Sequence, residues 1–375
     1  MRELRIGLVG FGSIARTHAS VFGAMPAVGS LAFRPVLHAI VTHRPAEVAE
    51  AARAMGVDRI FATVEQALED PSIDAFDVTS RNVDHVRDAS PVLRAARPLY
   101  LEKPAGRTAA EAASLAALGS DAVPSQVALV MRYHPAVVKA HALLHLGAIG
   151  AVRHGRLQLF HGSYLDPARP SSWRLQAAIA GGGAMLDLGL HLIDLVQLFF
   201  GEPVVVNRTS RTILPVRPAE AGGTRIVDVD DWGWAELRTV GGTVLTVEAS
   251  RLAYGAEGAR FEFFGSEGSL TADLDVPDGL RLRRFDGQEA ACWRRLAEAP
   301  EVQSLLRLLP PERLTLGPFV DMHLASLHHF LLRVSGDDPN PGYAPGLAVS
   351  AIAERIVEAV STPGVVRELT AVSPP

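Results

Sequence analysis

The sequence has a single cysteine, Cys292, among its 375 residues. An internal disulfide is therefore excluded, and a reducing compartment is the natural setting. Charge is also scarce in blocks. A formal net charge of -5 leaves no basic footprint for nucleic acid and no strongly acidic tail. The longest apolar stretch, 190–200, is short and is interrupted by His191, Asp194 and Gln197, which argues against a bilayer span. Strand-like sequence begins at Leu4, where a signal peptide would need a charged and then an apolar region. The expectation is a cytoplasmic protein with no membrane and no nucleic-acid partner. Internal repeats and low-complexity segments are missing too. What is present is ordinary globular composition, 48% hydrophobic and 21% charged, at a length that suits two domains.

Residues 4–10 form a nearly continuous apolar run ending in glycine, the pattern of a parallel strand covered on both faces. A helical stretch at 14–22 follows, then a strand at 36–42, a helix at 46–55, a short strand near Ile60 and a helix at 64–68. Strands at 75–80, 99–102 and 126–131 alternate with helices at 84–96 and 109–118. This alternation predicts a doubly wound parallel sheet, a Rossmann domain over 1–132. Beyond Tyr133 the pattern changes. A helix at 135–146, a strand at 151–161 and a helix at 183–200 precede two hairpin signals, Val240-Gly241-Gly242 and Gly265-Ser266-Glu267-Gly268, each between alternating strands (234–239 with 243–249, and 260–264 with 269–274). Helices at 319–334 and 344–360 close the chain, and 217–223 and 300–311 read as loops. The fold class is thus α/β at the N-terminus, followed by an α+β domain over 133–375 with an open mixed or antiparallel sheet.

Gly10-Phe11-Gly12-Ser13-Ile14-Ala15 places G-x-G-x-x-A directly after a strand and at the start of a helix. The first glycine permits a tight turn. The second removes a Cβ where a pyrophosphate approaches the backbone, and the small third residue lets helix and strand pack closely. A dinucleotide is therefore expected here, held by Gly10, Gly12, Ser13 and Ile14. The second strand should end with the residue that meets the adenosine ribose. It ends Thr42-His43-Arg44, without the acid that would bind the ribose hydroxyls of NAD. A guanidinium at Arg44 can pair with a 2′-phosphate, which favours NADP; NAD without the acidic contact is the alternative.

Further segments are more specific. Ser80-Arg81-Asn82-Val83-Asp84-His85 is similar to a T-P-N-x-x-H turn, and Glu102-Lys103-Pro104 ends the next strand. The helix carrying Gly181-Gly182-Gly183, Asp187, Gly189, His191 and Asp194 matches G-G-G-x-x-x-D-x-G-x-H-x-x-D. Together with Arg132-Tyr133-His134-Pro135 and Trp173-Arg174, these resemble the glucose–fructose oxidoreductase / inositol dehydrogenase (Gfo/Idh/MocA) family over essentially the whole chain, in the right order. The resemblance implies an active site between the domains, at the nicotinamide, and a sugar, sugar acid or cyclitol as small-molecule substrate. It implies a homodimer or homotetramer built through the open sheet. It also adds His43, Ser80, Asn82, His85, Glu102, Lys103, Arg132, Trp173 and Arg174 as cofactor contacts, the last three equally open to other roles. Arg81 departs from the family's usual proline, and His43 from its usual acid or serine.

The residues support the same chemistry on their own terms. Removing hydride from an alcohol requires a base for the hydroxyl proton and positive charge near the developing alkoxide. His191 can serve as base and Lys103 can supply the charge. Asp187, one helical turn before His191, can orient either. Each also has a plainer reading: a surface lysine, a first-turn acid serving the helix dipole, a core histidine. Asp194 suits support of this face, and Tyr164 is a weaker substrate contact. No metal is expected. His141 and His145 have no third ligand, and His323, His328 and His329 read as a helix with a wet face. Asp187, His191 and Asp194 imitate a metal triad, but the lysine motif argues for metal-free transfer. Two other functions remain open: a glycosidase-like enzyme that oxidises transiently and keeps NAD, and a non-catalytic dinucleotide sensor.

Overall fold

The computed structural model describes residues 2–28, 33–276 and 278–361, so residues 362–375 of the expected second domain lie outside the described residues. In the first half, β1 (Arg2–Val9), α1 (Ser13–Val28), β2 (Phe33–Val41), α2 (Pro45–Ala54), β3 (Arg59–Phe61), α3 (Val64–Leu68), β4 (Ala75–Val78), α4 (His85–Arg94), β5 (Leu99–Leu101), α5 (Ala109–Leu118) and β6 (Ser125–Val127) alternate. The six strands are parallel in the order β3-β2-β1-β4-β5-β6. The chain therefore reverses its direction of travel between β1 and β4, and the carboxyl ends of these strands open a crevice there. Leu4, Ile6 and Leu8 of β1 are sealed from solvent, as are Ala75, Phe76 and Val78 of β4. Burial on both faces explains the unbroken apolar runs.

The second half begins with α6 (Pro135–His145), β7 (Val152–Phe160) and the one-turn α7 (Ala177–Ala180). A π-helical turn, Met185–Gly189, then runs into α8 (Leu190–Phe200). The strands β8 (Val204–Arg211), β9 (Val216–Pro218), β10 (Thr224–Ile226), β11 (Trp232–Arg238), β12 (Val244–Ser250), β13 (Gly258–Gly265), β14 (Gly268–Asp273) and β15 (Leu280–Arg284) follow. Seven strands form one mixed sheet, β15-β14-β13-β7-β12-β11-β8, in which only β7 and β12 pair in parallel. Its inner residues alternate along each strand: Ala235 and Leu237, Leu245 and Val247, Phe261 and Phe263. They meet Phe199 of α8, whose ring lies 5.6 Å from that of Phe261 and 5.4 Å from that of Phe263. Burying each such side chain contributes about 1.5–3 kcal/mol. The helical run Ala177–Phe200 is long and apolar enough to cross a membrane by length and composition, but 78% of its most apolar window is buried in this core.

Among the described residues four α-helices come last: α9 (Glu289–Ala297), α10 (Pro300–Leu306), α11 (Pro318–Ser335) and α12 (Leu347–Ser361). The 300–311 segment, expected as a loop, contains α10. Pro300 occupies its first turn, and Val302 and Leu305 supply the buried face that stabilises it. Of the 217–223 segment, expected as a loop, Arg217 and Pro218 belong to β9, and only 219–223 turn between β9 and β10 of a small hairpin. The strand expected over 126–131 ends at Val127, and Val130–Tyr133 turns as a short 3-10 helix. α11 returns to the first half: Leu324, Leu327, Phe330 and Leu331 pack with Leu4, Ile6, Phe22, Tyr100 and Ala128. The wet face expected for His323, His328 and His329 is absent, because these side chains are 4%, 8% and 0% exposed. The reason is that α11 is covered on two sides, by α1 and the Rossmann sheet around His323 and by Tyr133 and the turn at Leu308 around His328 and His329.

Candidate active site

One cleft of about 1580 Å³ runs from the β1–α1 turn to the π-helical turn before α8. At its first end the backbone does the work. Gly10 has φ +95 and donates its N–H to Val41 O at 2.9 Å. A Cβ on Gly10 would stand 3.0 Å from backbone atoms of Thr79 and Ser80, whereas a Cβ on Gly12 would meet nothing within 4 Å. Gly10 thus closes the turn against β4, and Gly12 leaves open space at the N-terminus of α1, where backbone N–H groups and the helix dipole favour phosphate. Ser13, Ile14, His43 and Arg44 line this end. Arg44 is 61% exposed and pairs with Glu47, 63% exposed, at 3.1 Å.

The opposite end is built from partly buried charge: the Arg251 side chain is 2% exposed, those of Lys103 and Asp187 19% and 31%. Lys103 follows β5 through Glu102, whose carboxylate accepts from the Lys103 N–H at 3.1 Å. The loop beyond is clamped by Glu354 of α12, which accepts from Ala105 N at 2.6 Å and Gly106 N at 3.0 Å. Lys103 Nζ donates to Asp187 Oδ1 at 2.6 Å and to the Asp187 carbonyl at 2.8 Å. Arg251, at the end of β12, donates to Asp187 Oδ2 at 3.0 Å. Its guanidinium is buried beside the Tyr164 ring, 5.2 Å from the centroid. Burial opposes ionisation of Asp187, and Lys103 and Arg251 overcome it, holding the carboxyl far below its ordinary range. Asp230 positions the segment carrying Asp187 by accepting from Gly183 N at 3.1 Å and Met185 N at 2.8 Å. A Cβ on Gly183 would lie 1.9 Å from Asp230 O, which accounts for a glycine there.

His191 also faces the cleft, is 9% exposed, and has a buried Nδ1 without a hydrogen-bond partner. Burial first, then the Lys103 ammonium, push its imidazole down to about 3. It is therefore neutral at any ordinary pH. The π-helical turn widens the helix between Asp187 and His191, so they are not related by a regular α-helical turn, yet both line the cleft.

The remaining expected residues divide. Ser80, Asn82, Glu102, Trp173 and Arg174 line the cleft. Asn82 Nδ2 also donates to Ala180 O at 2.8 Å, tying the two halves together, and the Arg174 guanidinium stacks 4.5 Å over the Trp173 ring. His85 and Arg132 are not among the lining residues. His85 sits within hydrogen-bond distance of Pro104 O (2.7 Å) and Ser80 O (3.0 Å), bracing the two loops from behind. Burial lowers its pKa, and the two carbonyls oppose that shift. Arg132 makes a buried bidentate pair with Asp194, 2.7 and 2.6 Å, and donates to Tyr343 O at 3.0 Å. It fastens α8 to the Rossmann half, and Asp194 is its support. Arg251 and His161, both lining residues, were not anticipated. Arg251 has only one local cue, its place at the carboxyl end of an alternating strand.

Residues 4–122 match a family described as an oxidoreductase family with an NAD-binding Rossmann fold, and residues 137–271 match the GFO/IDH/MocA C-terminal domain. The chain belongs to the GFO/IDH/MocA oxidoreductases. Levoglucosan dehydrogenase of Pseudarthrobacter phenanthrenivorans is 31% identical over 96% of this chain and 97% of its own. The 1,5-anhydro-D-fructose reductase of Ensifer adhaerens is 30% identical over 92% and 95%. A solved levoglucosan dehydrogenase in complex with NADH and levoglucosan superposes with a TM-score of 0.80 at 30% identity, covering 96% of this chain and 97% of that one. As a GFO/IDH/MocA member, this chain is an NAD(P)-dependent oxidoreductase, and its mixed second sheet is the family's C-terminal domain.

Proposed function

We propose that the enzyme interconverts a secondary alcohol and a ketone on a sugar or cyclitol ring, with Lys103, Asp187 and His191 at the reacting carbon. The observation that carries this reading is the neutral, buried His191 beside a Lys103–Asp187–Arg251 ion cluster at one end of a cleft whose other end suits a dinucleotide. Gly12, with open space where a Cβ would stand, fits a bound pyrophosphate, and Ser13, Ile14, Ser80 and Asn82 would hold the rest of the cofactor. When bound, the nicotinamide supplies the hydride acceptor or donor. Lys103 has three N–H donors, of which Asp187 takes two, so one remains for the reacting oxygen. That hydrogen bond stabilises developing alkoxide charge in a site screened from water. His191, neutral before reaction, takes the hydroxyl proton and returns it in the reductive direction. Arg251 keeps Asp187 ionised, so that Lys103 stays aimed at the substrate. Arg174, Trp173 and His161 border the space left for the ring. The relatives named for an anhydrosugar and an anhydroketose make such compact pyranose-like rings the first substrates to try.

Arg44 favours NADP over NAD in this reading. Its surface pair with Glu47 is worth little in water, so exchanging Glu47 for a 2′-phosphate costs little. Assembly as a homodimer or homotetramer through the outer face of the mixed sheet belongs to the same reading. Light scattering that gives a monomer at micromolar concentration rejects it. The single, buried Cys292 agrees with a reducing, cytoplasmic setting. The deciding experiment is a panel of levoglucosan, myo-inositol, xylose and glucose for oxidation and 1,5-anhydro-D-fructose for reduction, each with NAD(H) and NADP(H), followed at the nicotinamide absorbance. Turnover of at least one ring substrate is expected, with Arg44→Ala raising the KM for NADP about tenfold and leaving that for NAD unchanged. Absence of turnover across the panel despite dinucleotide binding overturns the assignment.

A further inference from the structure

Behind the reacting end lies a second group of polar side chains that the proposed chemistry does not use. His18 of α1, Asp77 of β4, Glu102 after β5 and His323 of α11 are 0%, 1%, 7% and 4% exposed. His18 Nδ1 lies 2.9 Å from Asp77 Oδ2, and His323 Nδ1 lies 3.0 Å from the Phe319 carbonyl. Each ring thus has an oxygen at Nδ1 and its Nε2 turned toward the same carboxylate oxygen. Glu102 Oε1 is 3.3 Å from His18 Nε2 and 3.7 Å from His323 Nε2. These approaches are not aligned hydrogen bonds: His18 Nε2 and Glu102 Oε1 remain buried without a partner. All three atoms lie within 4.8 Å of one another.

Three donor atoms gathered this closely, two of them without a hydrogen-bond partner, are what a metal ion requires. Bonds of about 2.0–2.1 Å in a tetrahedral site set neighbouring ligands about 3.4 Å apart, close to the two measured edges. A histidine whose other nitrogen is tied to a carboxylate or a carbonyl is the usual form of a metal-bound imidazole. Two carboxylates, Asp77 and Glu102, offset the charge of a divalent ion in this enclosed place. Glu102 and His323 also border the cleft, which provides an entry path and a fourth ligand position.

We propose that His18, Glu102 and His323 form a binding site for one divalent transition metal, zinc by its two-imidazole, one-carboxylate donor set, with Asp77 orienting His18. The ion ties α1 and α11 to the end of β5 and so fixes the strand end from which Lys103 projects. An imidazole binds metal only through an unprotonated nitrogen, so affinity rises with pH.

The test is binding, independent of any turnover. Full-length protein stripped with a chelator is titrated with Co²⁺ at alkaline pH, followed by visible absorbance, with Zn²⁺ as displacing ion. One equivalent per chain, with the d–d bands of a four- or five-coordinate site and a raised Tm, is expected. Asp77→Asn should weaken binding about 10- to 100-fold with all three ligands intact, and His323→Gln should remove the bands while the circular dichroism spectrum is kept. If Asp77→Asn does not fold, His323→Gln decides alone. Absence of bands at every pH, or bands that survive His323→Gln, overturns the proposal.

Discussion

The two ends of the cleft are made from different materials. The end at Gly10–Ile14 presents main-chain groups and empty space, and Arg44 beside it sits in water, paired with Glu47. The end at Lys103 presents side-chain charges shielded by protein, each fixed by at least one other: Lys103 by Asp187, Asp187 by Arg251, and the loop after Lys103 by Glu354. Backbone recognition depends on shape and survives most changes of side chain except those that fill the space. A desolvated ion cluster depends on every member, because removing one strands another in a low-dielectric setting.

The contrast should break first at Lys103. Lys103→Met is expected to lower turnover by about 10²–10⁴-fold and to leave dinucleotide affinity within a few-fold, measured by steady-state kinetics beside titration calorimetry. Rates close to wild type would remove Lys103 from the reaction. Next in size is a change at the other end. Gly12→Val places its side chain in open space, so Tm should hold while dinucleotide affinity falls at least about tenfold. Gly10→Val, forced to φ +95 against the backbone of Thr79, should lower stability by about 1–3 kcal/mol as well. If both variants lose stability equally, the open space at Gly12 is not what binds phosphate. The smallest effect is a flat line. Burial and the Lys103 ammonium hold the His191 imidazole down to about 3, so the neutral base is already present throughout the neutral range. The kcat/KM for oxidation should then show no inflection near about 6.5, the free imidazole value. A single protonation step there that disappears in His191→Asn would show the imidazole to be less buried than it is here.

The same contrast governs what could be read before the structure was known. The phosphate end is local: a strand, two glycines and a helix within a dozen residues, all legible. Lys103 and the Asp187–His191 helix were legible as separate motifs, because each sits in a short pattern with a chemical reason. Their joining was not, since it depends on contacts across 84 residues. Arg251 carries no pattern around it, and its role arises only when β12 delivers it beside Asp187. Arg132 and His85 misled in the opposite sense. Their residue types suit a ligand, but a buried acid or carbonyl from a distant segment satisfies them first. The three histidines of α11 were placed in water because periodicity reports one face of a helix, and this helix is covered on two. The π-helical turn at Met185–Gly189 was invisible, since a single widened turn leaves the apolar spacing nearly unchanged.

The return of α11 to the Rossmann sheet sets an order of events during synthesis. Leu4, Ile6, Tyr100 and Ala128 receive part of their cover from Leu324, Leu327 and Phe330, roughly 190 residues after the sixth strand has been made. At about 5–20 residues per second, a ribosome takes roughly 10–40 s to supply that helix. Throughout that interval the nascent first domain shows an apolar strip to the cell. The helix that finishes the sheet also carries His323 to Glu102, so the newborn chain cannot complete the ground beneath Lys103 until α11 has been made.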